Sequence, residues 1–278
     1  MPRITFKDLA AFGLPLVTPK DPAFLSLSEE ILNRTPLFRS RALLPQAPID
    51  DASAVLLNQS GKAIVTLTYF WKYTVAGGHV RTHQRSDLGS SRQMDVLSGR
   101  ASATRDPVSF ILPGSKRLIT KDGIFGDNRD VLPPDTERFS GGIGSAGSAR
   151  DFDGEDVEHI ELQLDAAIFE DGLCAGPNES GLFDSVTEAL DLERSAARQI
   201  VDILRAGGSL GQAFEILRPL AKRPEVRYPH RRTERHAGRL LGMFTTSAID
   251  HLINLEGDGL IDWFEESAHV RSLTRAAE

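Results

Sequence analysis

The sequence predicts an α+β protein in which a sheet-rich half is joined to a helical half. Two observations predict this. Before Gly176 apolar residues recur at every second position between turn signals, as in Ile160, Leu162, Leu164, Ala166 and Ile168 with Glu161, Gln163 and Asp165 between them. After it they recur at helical spacing, as in Phe183, Val186, Leu190, Ala197, Ile200 and Leu204. A period of two lines one face of a strand, and a period of 3.6 lines one face of a helix.

Residues 1–52 read as an arm with one short helix and an edge strand. Ser26-Leu27-Ser28-Glu29 fits a capping box leading into Ile31 and Leu32, and Pro36, Pro45 and Pro48 then interrupt the pattern. Residues 53–175 read as a sheet domain. Val55, Leu56 and Leu57 run into the turn Asn58-Gln59-Ser60-Gly61, and Val65, Leu67, Tyr69, Trp71 and Tyr73 follow at alternate positions, the pattern of a hairpin. The run Tyr69-Phe70-Trp71 is apolar on both faces, which predicts a central strand. Met94 and Val96 mark a further strand in the polar stretch 79–106. Val108, Phe110 and Leu112 alternate up to Pro113-Gly114, and Leu118 and Ile119 resume after it. Short strands separated by Gly and Pro are the pattern of a β-sandwich. The Gly/Ser-rich stretch 140–150 reads as a mobile loop ahead of the long strand 157–169.

Residues 178–278 read as a helical domain of about four helices. The first covers about 181–206 and stops at Gly207-Gly208. Ser209 and Gln212 open the second as a capping box, and Pro219 is expected to kink or end it. The third starts near Pro229 and carries Ala237, Leu241, Phe244, Ala248 and Leu252. The fourth carries Leu260, Trp263, Phe264 and Val270. The helices are expected to pack on the sandwich or on a second subunit.

The piece Val108–Thr120, strand, Leu-Pro-Gly, strand, resembles hairpins of bacterial immunoglobulin-like domains. The resemblance implies an antiparallel immunoglobulin-like sandwich and carries no activity. One cysteine, Cys174, excludes the disulfide-bearing form of that domain and any cysteine-based zinc cage.

The chain of 278 residues carries a net charge of −7, which argues against a general nucleic-acid binder. No apolar stretch is long enough to span a bilayer, and Lys7, Asp8 and Pro15 break up the N-terminal segment, so no signal peptide is read there. A cytoplasmic location is the expectation.

The main partner signal is the basic segment 218–239. Its eight Arg and Lys against two Glu give +6 in a chain of −7. Arg227, Arg231, Arg232, Arg235 and Arg239 form the expected contact set, because guanidinium forks bind carboxylate and phosphate. The leading expectation is a non-enzymatic binding or assembly protein using this surface. Its partner would be an acidic protein face, a second copy or an anionic ligand. A solvated helix face paired with the chain's own acidic stretches explains the same residues. Little aromatic interleaving beyond Tyr228 speaks against single-stranded nucleic acid.

The alternative expectation is a metal-dependent hydrolase holding a divalent cation. Asp151 and Asp153 alternate in an acidic loop, and Glu170 and Asp171 sit at a strand end, both arrangements that hard cations accept. The competing structural reading makes Asp171-Gly172 a turn and Asn178 or Ser180 a helix cap. His79 and His83 would share a metal only on a helix, since on a strand they stand about 13 Å apart. Cys174 has no histidine placed to activate it and reads as a buried thiol. The glycine-rich 141–147 lacks the lysine and the strand–helix setting of a phosphate-binding loop.

Overall fold

The structure, a computed structural model, describes residues 2–34, 49–86, 91–103, 110–121, 123–126, 157–221, 231–255 and 258–276. Among them it is a mixed α+β protein with two sheets. The strands are β1 (Arg3–Lys7), β2 (Leu16–Val17), β3 (Ala54–Leu57), β4 (Ile64–Val75), β5 (Val80–Ser86), β6 (Lys116–Thr120), β7 (Gly123–Phe125), β8 (Val157–Phe169), β9 (Leu173–Ala175) and β10 (Thr274–Arg275). The α-helices are α1 (Phe24–Arg34), α2 (Ser91–Leu97), α3 (Leu182–Arg205), α4 (Leu210–Ala221), α5 (Arg231–Asn254) and α6 (Asp258–Ala268).

The larger sheet has the order β10-β9-β8-β4-β5, with β1 also along β8. Its β1–β8 and β9–β10 pairs are parallel and the others antiparallel. The smaller sheet is antiparallel, β2-β3-β6-β7.

Four layers stack in sequence. Phe24 and Ile31 of α1 cover Val55, Leu118 and Phe125 on the outer face of the small sheet. Ala54, Leu56, Ile119 and Ile124 of that sheet meet Leu67, Tyr69, Trp71, Leu162 and Leu164 of the large one. The opposite side of the large sheet, through Val65, Ala166, Ile168 and Cys174, packs on α2, α5 and the first half of α3. The second half of α3 then forms a helical core with α4, α5 and α6 around Ile200, Leu217, Phe244, Leu252 and Phe264. Of the two expected neighbours, a sandwich or a second subunit, the helices have the large sheet beside them.

The long strand β8 departs from strict alternation. Thr68 pairs with Ala166 and Tyr69 with Leu164, so Asp165 is an extra residue, a β-bulge. A one-residue insertion exchanges the faces of everything beyond it. Ile160, Leu162 and Leu164 face the small sheet together with Ala167 and Phe169, whereas Ala166 and Ile168 face the helices. The single apolar face read from residues 160–168 is therefore two half-faces. On β4, a second shift between Ile64 and Thr66 does the same. There Val65 turns toward the helices, and its carbonyl accepts a 2.8 Å hydrogen bond from Gln93 Nε2.

Further expectations are corrected. β3 and β4 are not a hairpin. They lie in different sheets, and the turn between them is a crossing fixed by Asn58, whose Nδ2 donates to Lys62 O and Ile111 O at 2.8 and 2.7 Å. The same holds across Pro113-Gly114: Ile111 bridges to Ile64 of the large sheet, while β6 pairs with β3 and β7. Met94 and Val96 belong to α2 rather than a strand, because Met94, Val96 and Leu97 all bury against the helix-side core. Pro219 does not end α4, which runs two residues further. Its missing N–H forfeits one intrahelical bond, to the carbonyl of Glu215, close to the helix end. The Gly/Ser-rich stretch 140–150 lies outside the described residues.

The helical boundaries follow the capping chemistry. Ser209 N donates to Gln212 Oε1 at 2.8 Å, and Gln212 N to Ser209 Oγ at 3.3 Å, the reciprocal pair of a capping box. Gly207 adopts φ +74° after α3, and its N–H closes on Leu204 O.

Gly176 leads from β9 toward α3 at φ +109°, and a Cβ there would meet Asp165 O at 2.3 Å. Both the dihedral and the contact exclude a side chain. Gly176→Ala is expected to lower stability by about 2–3 kcal/mol in urea unfolding. A loss below about 0.5 kcal/mol, the ordinary surface value, would contradict the close approach.

Candidate functional site

The junction from β8 to α3 gathers the acidic and amide residues singled out in the sequence. Asp165 is fully buried. Its backbone oxygen accepts from Asn178 N at 3.0 Å, and its carboxylate accepts from Glu179 N at 2.6 Å and Ser180 N at 3.1 Å. Asn178 holds φ +59°, and its Oδ1 accepts from Phe183 N at 2.9 Å. Ser180 Oγ accepts from Leu182 N at 3.3 Å. Asn178 and Ser180 thus both satisfy free N–H groups of the first turn of α3. Burial pushes the Asp165 carboxyl up, against the hydrogen bonds from Ser180 and Glu179.

On the sheet face beside this junction lies a paired polar network. Lys72 Nζ donates to Gln163 Oε1 at 2.7 Å and Glu179 Oε2 at 2.8 Å, and Gln163 Nε2 donates to Glu179 Oε1 at 2.9 Å. Glu161 pairs with Lys7 at 3.0 Å and with Lys72 at 3.8 Å. The Lys72 and Gln163 hydrogen bonds hold the Glu179 carboxyl below its ordinary value. Two neighbouring carboxyls pushed in opposite directions are the pattern of an acid–base pair. Here, however, the Asp165 oxygens point at backbone N–H groups and cap a turn.

Glu170 and Asp171 are taken up by the turn after β8. Glu170 Oε1 accepts from Ala63 N at 3.1 Å, and its carbonyl accepts from the Arg271 guanidinium. Asp171 pairs with Lys62 at 2.5 Å and accepts from Leu173 N at 3.1 Å. Burial raises the Asp171 carboxyl, but the Lys62 hydrogen bond, the Leu173 N–H and the Lys62 charge outweigh it and hold the group low. Asp151 and Asp153 lie outside the described residues. Among the described residues, no three His, Cys, Asp or Glu come together as a metal-binding group.

Of the basic set, Arg227 lies outside the described residues, while 231, 232, 235 and 239 are positions in the first turns of α5. At about 100° per residue these four positions fall within an arc of about 100°. That arc is opposite the stripe of Leu240, Leu241, Phe244, Ala248 and Leu252, all buried. His83 lies on β5 and His79 in the turn before it. Cys174 is 2% exposed, and burial pushes its thiol up to about 12, so it is unreactive where it sits.

Besides the Asp165 junction and the Lys72 network, two more features were not singled out from the sequence. The first is a buried ion pair. Glu193 of α3 is fully buried and pairs with the Arg100 guanidinium, which also reaches Ser267 Oγ at 3.2 Å and Asp95 at 3.3 Å. Arg100 lies 6.0 Å from the Trp263 ring, on which His251 stacks at 4.2 Å. Burial pushes the Glu193 carboxyl up, and Arg100 only partly offsets it. The signal was a glutamate inside the apolar stripe of α3, three residues past Leu190. The second is a groove of about 420 Å³ along α3, lined by Asp184, Thr187, Glu188, Asp191 and Leu192. Asp184 and Asp191 pair there with Arg275 and Arg194 at 3.3 and 2.8 Å. The spacing of three acids over two turns marks that face in the sequence. Compared with family models, curated proteins and solved structures, the chain matches none.

Two variants test this geometry. Asp165→Asn loses an acceptor for a buried N–H and is expected to cost about 1–3 kcal/mol at pH 7. Because the folded state raises the Asp165 pKa, wild type binds that proton more tightly when folded. Its stability relative to Asp165→Asn should grow as pH falls from 7 toward 4. Urea titrations at the two pH values check both signs, and a gap that narrows on acidification contradicts the assignment. Separately, Arg100→Met strands the Glu193 charge and should cost about 3–5 kcal/mol, whereas adding Glu193→Leu should recover most of it. A double variant no more stable than Arg100→Met would show that the pair is not an isolated buried unit.

Proposed function

We propose that this chain is a non-enzymatic binding or assembly protein that presents the first turns of α5 to an acidic protein surface, with anionic ligands as weaker competitors. The observation that supports it is the register of α5, which sets positions 231, 232, 235 and 239 opposite the buried stripe. The charge distribution supports it as well, since 218–239 carries +6 while the rest of the chain carries −13. A local charge of that sign steers anionic partners and fixes their orientation. Arg218, at one end of the segment, already pairs with Glu215 at 2.6 Å.

In this reading the two-sheet body is a scaffold of immunoglobulin-like character, and the location is cytoplasmic. No helix among the described residues is long and apolar enough to cross a membrane. The hydrolase alternative gains no comparable support, because Glu170 and Asp171 each serve the turn that holds them.

The test is charge reversal. Arg231→Glu, Arg232→Glu and Arg235→Glu together should abolish self-association in sedimentation and capture of acidic partners from the native host. Binding of inorganic polyphosphate should weaken by at least an order of magnitude at low salt. The urea midpoint should stay near wild type, since the three positions lie opposite the buried stripe of α5. If all interactions detected with wild type survive in the triple variant, the proposal is wrong.

A further inference from the structure

After α6 the chain leaves the helical core at Ala268, passes through Val270, which is buried in the sheet–helix core, and runs along the large sheet as Arg271–Ala276. These six residues are exposed or half-buried, and of their side chains Leu273 alone joins an apolar cluster. They are held by polar bonds. Arg194 of α3 donates to Val270 O from Nε and Nη2 at 3.3 and 3.0 Å. Its Nη2 also reaches Arg271 O at 3.4 Å and Ser272 Oγ at 3.2 Å. The Arg271 side chain crosses Gly172, where a Cβ would come within 2.8 Å of its Cδ, and its guanidinium donates to Glu170 O. Thr274 N donates to Gly172 O at 3.0 Å and Ala276 N to Cys174 O at 2.8 Å, which makes β10 the parallel edge partner of β9. Arg275 lies 5.8 Å from the Phe183 ring and pairs with Asp184 while both side chains stay mostly exposed.

We propose that Arg271–Ala276 is a releasable strap that gates the β9 edge of the large sheet. The physical case is the mismatch between what it borders and what holds it. Beside it lie Cys174, its neighbour in the sheet, and Phe183, against whose ring Arg275 rests, both buried in the sheet–helix core. The strap is held there by backbone bonds that include Arg271 N to Ser98 O, Thr274 N to Gly172 O and Ala276 N to Cys174 O, and by the exposed Arg275–Asp184 pair, whose groups water can replace. Segments with few apolar contacts and exposed hydrogen bonds open without global unfolding. Arg194 sets the threshold, because one side chain on α3 clasps Val270, where the strap begins, and its first two residues, Arg271 and Ser272. Opening leaves the Gly172 and Cys174 carbonyls unpaired at a sheet edge, the acceptors that strand addition uses. The core beneath β8 and β4 stays intact.

Cys174 is the one cysteine of the chain, so a thiol reagent reads opening without ambiguity. Labelling by 5,5′-dithiobis(2-nitrobenzoic acid) is followed in native buffer and at low urea, with the urea midpoint measured in parallel by tryptophan fluorescence. The wild-type rate should depend weakly on urea. Arg194→Ala should label at least tenfold faster with a midpoint close to wild type. Thr274→Pro removes the N–H donated to Gly172 without touching α3. It should accelerate labelling likewise, and it decides alone if Arg194→Ala fails to fold. Wild-type labelling that tracks global unfolding, or a rate unmoved in the folded variants, overturns the strap.

Discussion

One inserted residue in β8 organises the molecule. Asp165 displaces the register of the strand, so its first half faces the small sheet and its second half serves both cores. The same residue reaches across the junction and gathers three consecutive amides, Asn178, Glu179 and Ser180. A buried carboxylate is costly unless its oxygens are satisfied, and amides ahead of a helix need acceptors. Each need answers the other. Gly176 is the complementary constraint, since only a residue without Cβ lets the chain come this close to the bulge.

The direction of α3 is set at that junction, and the helical layer is built on α3. Its first half packs on the sheet through Leu182, Val186 and Leu190, and its second half seats α4, α5 and α6. Glu193 sits where the two halves meet and holds Arg100, which links the turn after α2 to Ser267 of α6. The attraction within a buried pair of this kind is largely spent against desolvation, so its presence adds little net stability while loss of one partner is costly. The proposed contact face depends on the same frame. The stripe from Leu240 to Leu252 fixes the rotation of α5 about its axis, and the helical register sets positions 231, 232, 235 and 239 opposite that stripe.

The helices were legible in the sequence because each buries one stripe against one neighbour. The apolar positions of α3, α5 and α6, the Ser209–Gln212 box and the glycine stop after α3 could be read without knowing the partner. Trp71 and its neighbours likewise marked a central strand by being apolar on both faces. Pairing was not legible. Val55–Leu57 and Val65–Tyr73 look like a hairpin because proximity in sequence is the sole cue, yet Asn58 directs the chain into the other sheet. The bulge was hidden because apolar residues on either side of Asp165 continue the same written alternation while their side chains exchange faces. The seven residues of α2 are too few to show a period. At the candidate site, Asn178 and Ser180 were recognisable as caps, since their chemistry is local. The partners of Glu170, Ala63 N and the Arg271 guanidinium, lie about 100 residues away in opposite directions, and no local pattern announces them.

The measurement that tests this account most directly is native-state amide hydrogen exchange at Glu179 and Ser180. If the Asp165 carboxylate is the tie between sheet and helices, these amides exchange only through global unfolding, with protection equal to that of the β4 amides around Trp71. Exchange of Glu179 and Ser180 through a cheaper local opening, while β4 stays protected, would contradict the central place given to Asp165.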